Sequence, residues 1–236
     1  GLGIPAEPLF RSRDTVFENC WSQMDAGAVY LSNDYNNGPA MTSPHDLSII
    51  NTKFVNNTAK AEYKVDDYMC GGGAILIKQA GNIYLENVTC IDNKANEGGA
   101  ITVRRAKNSN IWFVNSTFIG NDATDYGGSI YILLKDNGPS YITLDNVTII
   151  NSTADIGGGL YASDDNKIGI KYNDLTFINN SARISGALYW NYGGGPTIEK
   201  INFINNTASE SGGAIYIPKN NFKILTNNFT GNNATF

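Results

Sequence analysis

The chain has 236 residues, with 17 Lys+Arg against 22 Asp+Glu, a net charge of −5 and a pI near 4.9, a balance that argues against a nucleic-acid partner. Only 17% of residues are charged, too few for a disordered polyelectrolyte, and no apolar run approaches the roughly 20 residues of a membrane helix. One His and three Cys argue against a Cys/His zinc centre, whereas Asn reaches 32.

A repeat runs along the chain. Phe17-Glu18-Asn19 precedes Ala26-Gly27-Ala28-Val29, and Phe54-Val55-Asn56-Asn57 precedes Gly72-Gly73-Ala74-Ile75. Cys90-Ile91-Asp92-Asn93 leads to Gly98-Gly99-Ala100-Ile101, and Phe118-Ile119-Gly120-Asn121 to Gly127-Gly128-Ser129-Ile130. The same pair of elements recurs from Ile149, Phe177 and Phe203, and a last anchor stands at Phe229. From residue 90 the step is 26 to 31 residues, which suits one coil of three short strands and has no 3.6-residue apolar period. After each glycine corner two apolar columns alternate with an outward one. The first is Val29, Ile75, Ile101, Ile130, Leu160, Leu188 and Ile215; the second is Leu31, Ile77, Val103, Ile132, Ala162, Trp190 and Ile217. A further strand precedes each anchor, as at Ile83/Leu85, Ile111/Phe113, Ile142/Leu144 and Ile170/Tyr172.

The pattern predicts an all-β fold, a right-handed parallel β-helix of about eight coils and roughly 40 Å length at ~4.8 Å per coil. One domain is expected over 1–236: an amino-terminal arm or edge at 1–16, then coils over 17–236. Loops are expected near 32–47 and 60–70, with shorter ones at 133–140, 163–168 and 191–196. Together the Gly-Gly-Ala-Ile and Phe-x-x-Asn motifs resemble the polymorphic outer-membrane-protein repeats first associated with chlamydial surface proteins, from Phe17 to the end of the chain. The resemblance implies a β-helical surface domain with a role in adhesion or surface architecture.

Three columns carry polar or small residues. Ala59, Ala95, Ala123, Ala154, Ala182, Ala208 and Ala234 stand five residues after each anchor and predict a tight interior corner. Asn57, Asn93, Asn121, Asn180, Asn206 and Asn232 stand three after it, with Ser152 the exception, and predict a hydrogen-bonded ladder. Between the two apolar columns, Tyr131, Tyr161, Tyr189 and Tyr216 predict an exposed aromatic strip, a candidate surface for sugar binding or assembly.

Nine Asn-x-Ser/Thr sequons, at Asn56, Asn87, Asn115, Asn146, Asn151, Asn179, Asn205, Asn228 and Asn233, predict N-glycosylation and an extracellular or cell-surface location. In that setting Cys20 and Cys70 are candidate disulfide partners, and Cys90, in an anchor position, reads as a small core residue.

The sequence predicts no catalytic residue, metal or cofactor. His45 lies in a Ser-Pro-His-Asp segment, and the Gly-His-Gly element of pectin-active β-helices is missing. Asp66-Asp67 and Asp164-Asp165 read as solvated pairs, a calcium loop at Asp164-Asp165-Asn166 being the alternative. Arg104-Arg105 and Lys107 show no acidic cluster in the neighbouring coils at that column. The expected function is a non-enzymatic adhesin or a subunit of a head-to-tail surface filament, with a carbohydrate-active enzyme as the alternative. Partners are copies of itself or a cell-surface or glycan ligand. The coil edges and the segment Gly1-Leu2-Gly3-Ile4-Pro5 are the expected assembly elements.

Overall fold

The computed structural model describes residues 10–32, 47–60, 71–78, 82–104, 110–134, 141–164, 169–192, 197–218 and 222–235. They form an all-β solenoid in which every paired strand is parallel to its neighbours. Strands before and at the anchors make one sheet of 11 strands. The Asn-x-Ala segments make a second sheet of eight, and the strands after the glycine corner a third of seven. Thr197–Glu199 and Lys223–Leu225 pair by themselves. Seven rungs therefore carry all three faces, and an eighth carries two among the described residues.

The expected strands are found, with three differences. In the central rungs the pre-anchor and anchor strands fuse into ten-residue strands, Asn110–Ile119, Tyr141–Ile150 and Gly169–Ile178. The alanine column does not mark a corner. It lies on short strands such as Lys94–Glu97 and Ser181–Ile184, in register with the alanines of the neighbouring rungs. Within the segment expected to be an arm, Phe10–Arg13 pairs with Leu47–Ile50 and forms part of the first rung; its Arg-Ser-Arg sequence hides the apolar signature.

Backbone conformation explains the columns. Every non-extended bend with positive φ among the described residues falls in one of three stacks, at φ from 48° to 72°. The first, three before each anchor, is Asp14, Asn51, Asn87, Asn115, Asn146, Asp174, Lys200 and Thr226. The second, two after it, is Asn19, Asn56, Asp92, Gly120, Asn151, Asn179, Asn205 and Gly231. The third is Ala26, Gly72, Gly98, Gly127, Gly157, Ser185 and Gly212. Left-handed backbone costs most side chains roughly 1–2 kcal/mol and costs Gly, Asn and Asp least, which accounts for much of the Asn content. The glycine after the third bend is needed for a different reason, the close approach of the next rung. A Cβ on Gly73 would fall on the carbonyl oxygen of Gly99, and one on Gly99 on that of Gly128.

Inside, Phe54, Cys90, Phe118, Ile149, Phe177 and Phe203 are fully buried in register. Cys90 is thus a core residue, and burial pushes its thiol pKa up. Trp190 also points inward, edge-on to Tyr172 at 6.1 Å. Beside this core runs the predicted Asn ladder. Asn57, Asn93, Asn121, Asn180 and Asn206 are all at 0% exposure. The Asn93 Nδ2 donates to Asn121 Oδ1 at 3.0 Å and to the Phe54 carbonyl at 3.0 Å, and its Oδ1 accepts from Asn57 N and Nδ2. Each carboxamide so placed satisfies buried backbone that the bend leaves open.

At Ser152 the ladder lacks its carboxamide, and a second substitution repairs it. Ser129 stands where other rungs have Ala or Gly; its hydroxyl accepts from Asn121 Nδ2 at 3.1 Å and lies 2.7 Å from the Ser152 hydroxyl. Ser129→Ala should cost about 1–3 kcal/mol in chemical unfolding, the usual cost of stranding buried polar groups. Adding Ser152→Asn to that variant should recover most of the loss, a coupling read by a double-mutant cycle.

Candidate functional site

Two surfaces carry the residues singled out in the sequence. The first comprises the first two bend columns. Asn56, Asn87, Asn115, Asn146, Asn151, Asn179 and Asn205 all occupy left-handed bends with exposed side chains. Their carboxamides bond along the axis: Asn51 Nδ2 to Asp14 Oδ1 at 3.0 Å, Asn87 Nδ2 to Asn51 Oδ1 at 3.0 Å, Asn146 Nδ2 to Asn115 Oδ1 at 2.8 Å, and Asn56 Nδ2 to Asn19 Oδ1 at 2.7 Å. Asn228 and Asn233, also exposed, lie on the strands Asn228–Thr230 and Asn233–Ala234 rather than at bends. The seven bend positions favour Asn, Asp or Gly with or without a sugar.

The second surface lies along the glycine corner. There side chains at the ends of the strands Lys94–Glu97 and Asp122–Tyr126 meet side chains of the strands that follow the corner, Glu97 meeting Arg104 and Tyr126 meeting Tyr131. The tyrosines stack as expected: Tyr131–Tyr161 at 5.2 Å, Tyr161–Tyr189 at 4.7 Å with planes 4° apart, Tyr189–Tyr216 at 5.5 Å. Their exposure differs from expectation. Tyr131 is buried at 4%, and Tyr161, Tyr189 and Tyr216 are half-buried. Tyr126, on the strand before the corner, covers the first two, its ring lying 5.9 Å from Tyr131 and 5.0 Å from Tyr161. Because the rings cover one another, their faces are not open as a row of sugar-stacking platforms. What the row offers is ring edges and phenol groups.

Charged residues line the same corner. Arg183 donates from Nε and a terminal nitrogen to both oxygens of Asp155, at 2.8 and 2.9 Å, and from its other terminal nitrogen to Glu210 at 2.7 Å. The Arg183 hydrogen bonds hold the Asp155 carboxyl below its ordinary pKa. Nearer the amino-terminal end, the buried Glu97 carboxylate accepts from Arg104, whose guanidinium lies 5.8 Å from the Tyr131 ring centre. Burial raises the Asp25 pKa, opposed by the charges of Arg104 and Lys78.

The acidic partner of Arg104 therefore comes from its own rung, across the glycine corner, where column-by-column comparison of neighbouring rungs does not look. Asp155, Arg183 and Glu210 share one offset, two residues before the positive-φ corner residue, and that offset is the signal that identifies them.

Cys20 is partly buried and forms no disulfide among the described residues; Cys70 lies outside them. Also outside are His45, Asp66, Asp67, Asp165, Asn166, Arg105, Lys107, the segment Gly1–Pro5 and nearly all of the expected loops at 32–47 and 60–70. Among the described residues no group of three His, Cys, Asp or Glu is arranged to hold a metal, and no helix is long and apolar enough to cross a membrane.

Two measurements follow from this corner. Burial raises the pKa of Tyr161 to about 12 and that of Tyr131 still further. The folded chain then holds protons that the unfolded chain releases near pH ~10, so stability falls as pH rises through the interval from ~10 to about 12. Ultraviolet phenol titration should show these two ionising only with unfolding. Replacing Arg183 with Gln should return the Asp155 pKa toward ~3.9, seen by carboxyl NMR titration. The stabilisation from that pair is present above the ordinary carboxylate range and is lost as pH falls through the depressed value.

Residues 200–218 match the family model of the Chlamydia polymorphic membrane protein repeat, the stretch that runs from the bend at Lys200 through Phe203 and the Gly212-Gly213 corner to Pro218. No curated protein and no solved structure matches the chain. The matched stretch contributes most of one rung, whose anchor and corner stand in register with those of the neighbouring rungs.

Proposed function

We propose that the chain is a non-enzymatic, N-glycosylated surface protein that serves as the building block of a head-to-tail filament. The repeat match at residues 200–218 supports the surface location. The observation that carries the assembly is the parallel register shared by every rung, which would let rungs of two copies pair as rungs within the chain do. Phe229 stacks on Phe203 at 4.9 Å with planes 10° apart, as anchor rings do from rung to rung. All paired strands run parallel, so a rung of a second copy would continue the strand register.

Electron microscopy of undenatured material tests this. Fibres with an axial repeat near ~40 Å, from eight rungs at ~4.8 Å, are expected, and Phe229→Asp should disperse them. Short separate rods from the unaltered chain would overturn the filament.

A second reading, adhesion to a cell-surface or glycan ligand, is favoured by the row of Tyr161, Tyr189 and Tyr216 beside Asp155, Arg183 and Glu210. Tyr189→Ser together with Arg183→Gln should then weaken cell binding without loss of the fold. Turnover of a defined oligosaccharide by the purified chain would overturn both readings.

A further inference from the structure

The outward residue just after each anchor forms an aliphatic row: Val55, Ile91, Ile119, Ile150, Ile178 and Ile204, in register over six rungs. All six are partly exposed. On the other side of the anchor, Thr89, Thr117, Thr148 and Thr176 face the same way and add methyl groups. The result is a strip along one wall of the solenoid, uncharged from Ile91 to Ile178 and flanked by Lys53 and Asn202 in the same Thr row, apolar enough to call for a covering.

The two bend columns border this strip, one on each side, five residues apart along the chain. Their sequons follow it rung by rung. Val55 has Asn56; Ile91 has Asn87; Ile119 has Asn115; Ile150 has both Asn146 and Asn151; Ile178 has Asn179; Ile204 has Asn205. Where the second column loses its Asn, at Asp92 and Gly120, the first column supplies the sequon. On the first and last rungs the row turns polar, at Glu18 and Thr230, and neither bend position carries a sequon: they are Asp14 and Asn19, then Thr226 and Gly231.

We infer that the first sugars of N-glycans on these bend asparagines lie across the Val55–Ile204 strip, with their C–H faces on its aliphatic side chains. This rests on the glycosylation reading above and adds a place for the sugar. A left-handed bend projects each Asn side chain from the strip's margin, and the strip is narrow: five residues at ~3.3 Å each give at most about 17 Å between its borders. A second copy of the chain is the competing occupant. A strip six rungs long and this narrow offers on the order of 400 Å² per partner, about half of what a standard stable interface takes from each side.

The test uses the whole chain made in a host that N-glycosylates. Peptide mass spectrometry first gives occupancy at the seven bend asparagines; sites found bare would sink the glycosylation reading itself. An endoglycosidase then leaves one N-acetylglucosamine per site, and an amidase removes the whole glycan and leaves Asp. Asp14, Asp92 and Asp174 show that these bends accept Asp.

A neutral apolar dye should stay dark with the intact and trimmed forms and brighten several-fold with the amidase product. Ile150→Asp should blunt that gain. Occupied sites whose complete removal leaves dye binding unchanged would overturn the inference while leaving glycosylation standing. So would an intact glycoprotein that is already dimeric and becomes monomeric with Ile150→Asp, since a second copy would then occupy the strip.

Discussion

A backbone residue in the left-handed region at each of three bends per rung is the constraint on which the solenoid depends. Parallel strands can stack into a coil only if the chain turns at the same place in every rung, and the turn chosen here is one that few side chains tolerate. Asn, Asp and Gly fill the bends for that reason. Once they recur in register, the rest follows at the rung spacing: aromatic and aliphatic columns stack inside, carboxamides bond along the axis, and the glycine corner lets carbonyl groups pass close by.

Two kinds of Asn result, and they differ in energetic role. Buried Asn93 or Asn180 supplies donors and acceptors to backbone that water cannot reach, so its loss strands several groups at once. Exposed Asn115 or Asn146 bonds its neighbour in solvent, where the gain is small and Asp serves nearly as well. The same amino acid is thus a core residue at one position and a replaceable bend residue two or three positions from an anchor.

Most of the fold is legible in the sequence because a 26-to-31-residue repeat displays each column several times, which separates inward from outward positions without any coordinates. The columns put Cys90 and Trp190 inside, and both are there. The glycine corner is less legible. Alternation shows that Tyr131 leaves the core, but it does not show that Tyr126 from the preceding strand covers it, because the angle between two sheets is not written in the period of either. Phe10–Arg13 is hidden for a simpler reason: a strand whose inward residue is Ser12 has no apolar signature.

The pairing of Ser129 with Ser152 bears on how such a chain can change over time. Repeats are commonly gained and lost by recombination between similar stretches, and rungs with identical columns would be interchangeable. These two rungs are not. Removing the rung of Ser152 alone would leave Ser129 facing a carboxamide it was not shaped for, and removing the rung of Ser129 alone would leave Asn93 without the carboxamide oxygen that accepts its side-chain amide. Removing both would join Asn93 to Asn180 and restore the regular ladder. The heritable unit at this place is therefore a pair of rungs, and the serines mark where the array cannot be cut singly.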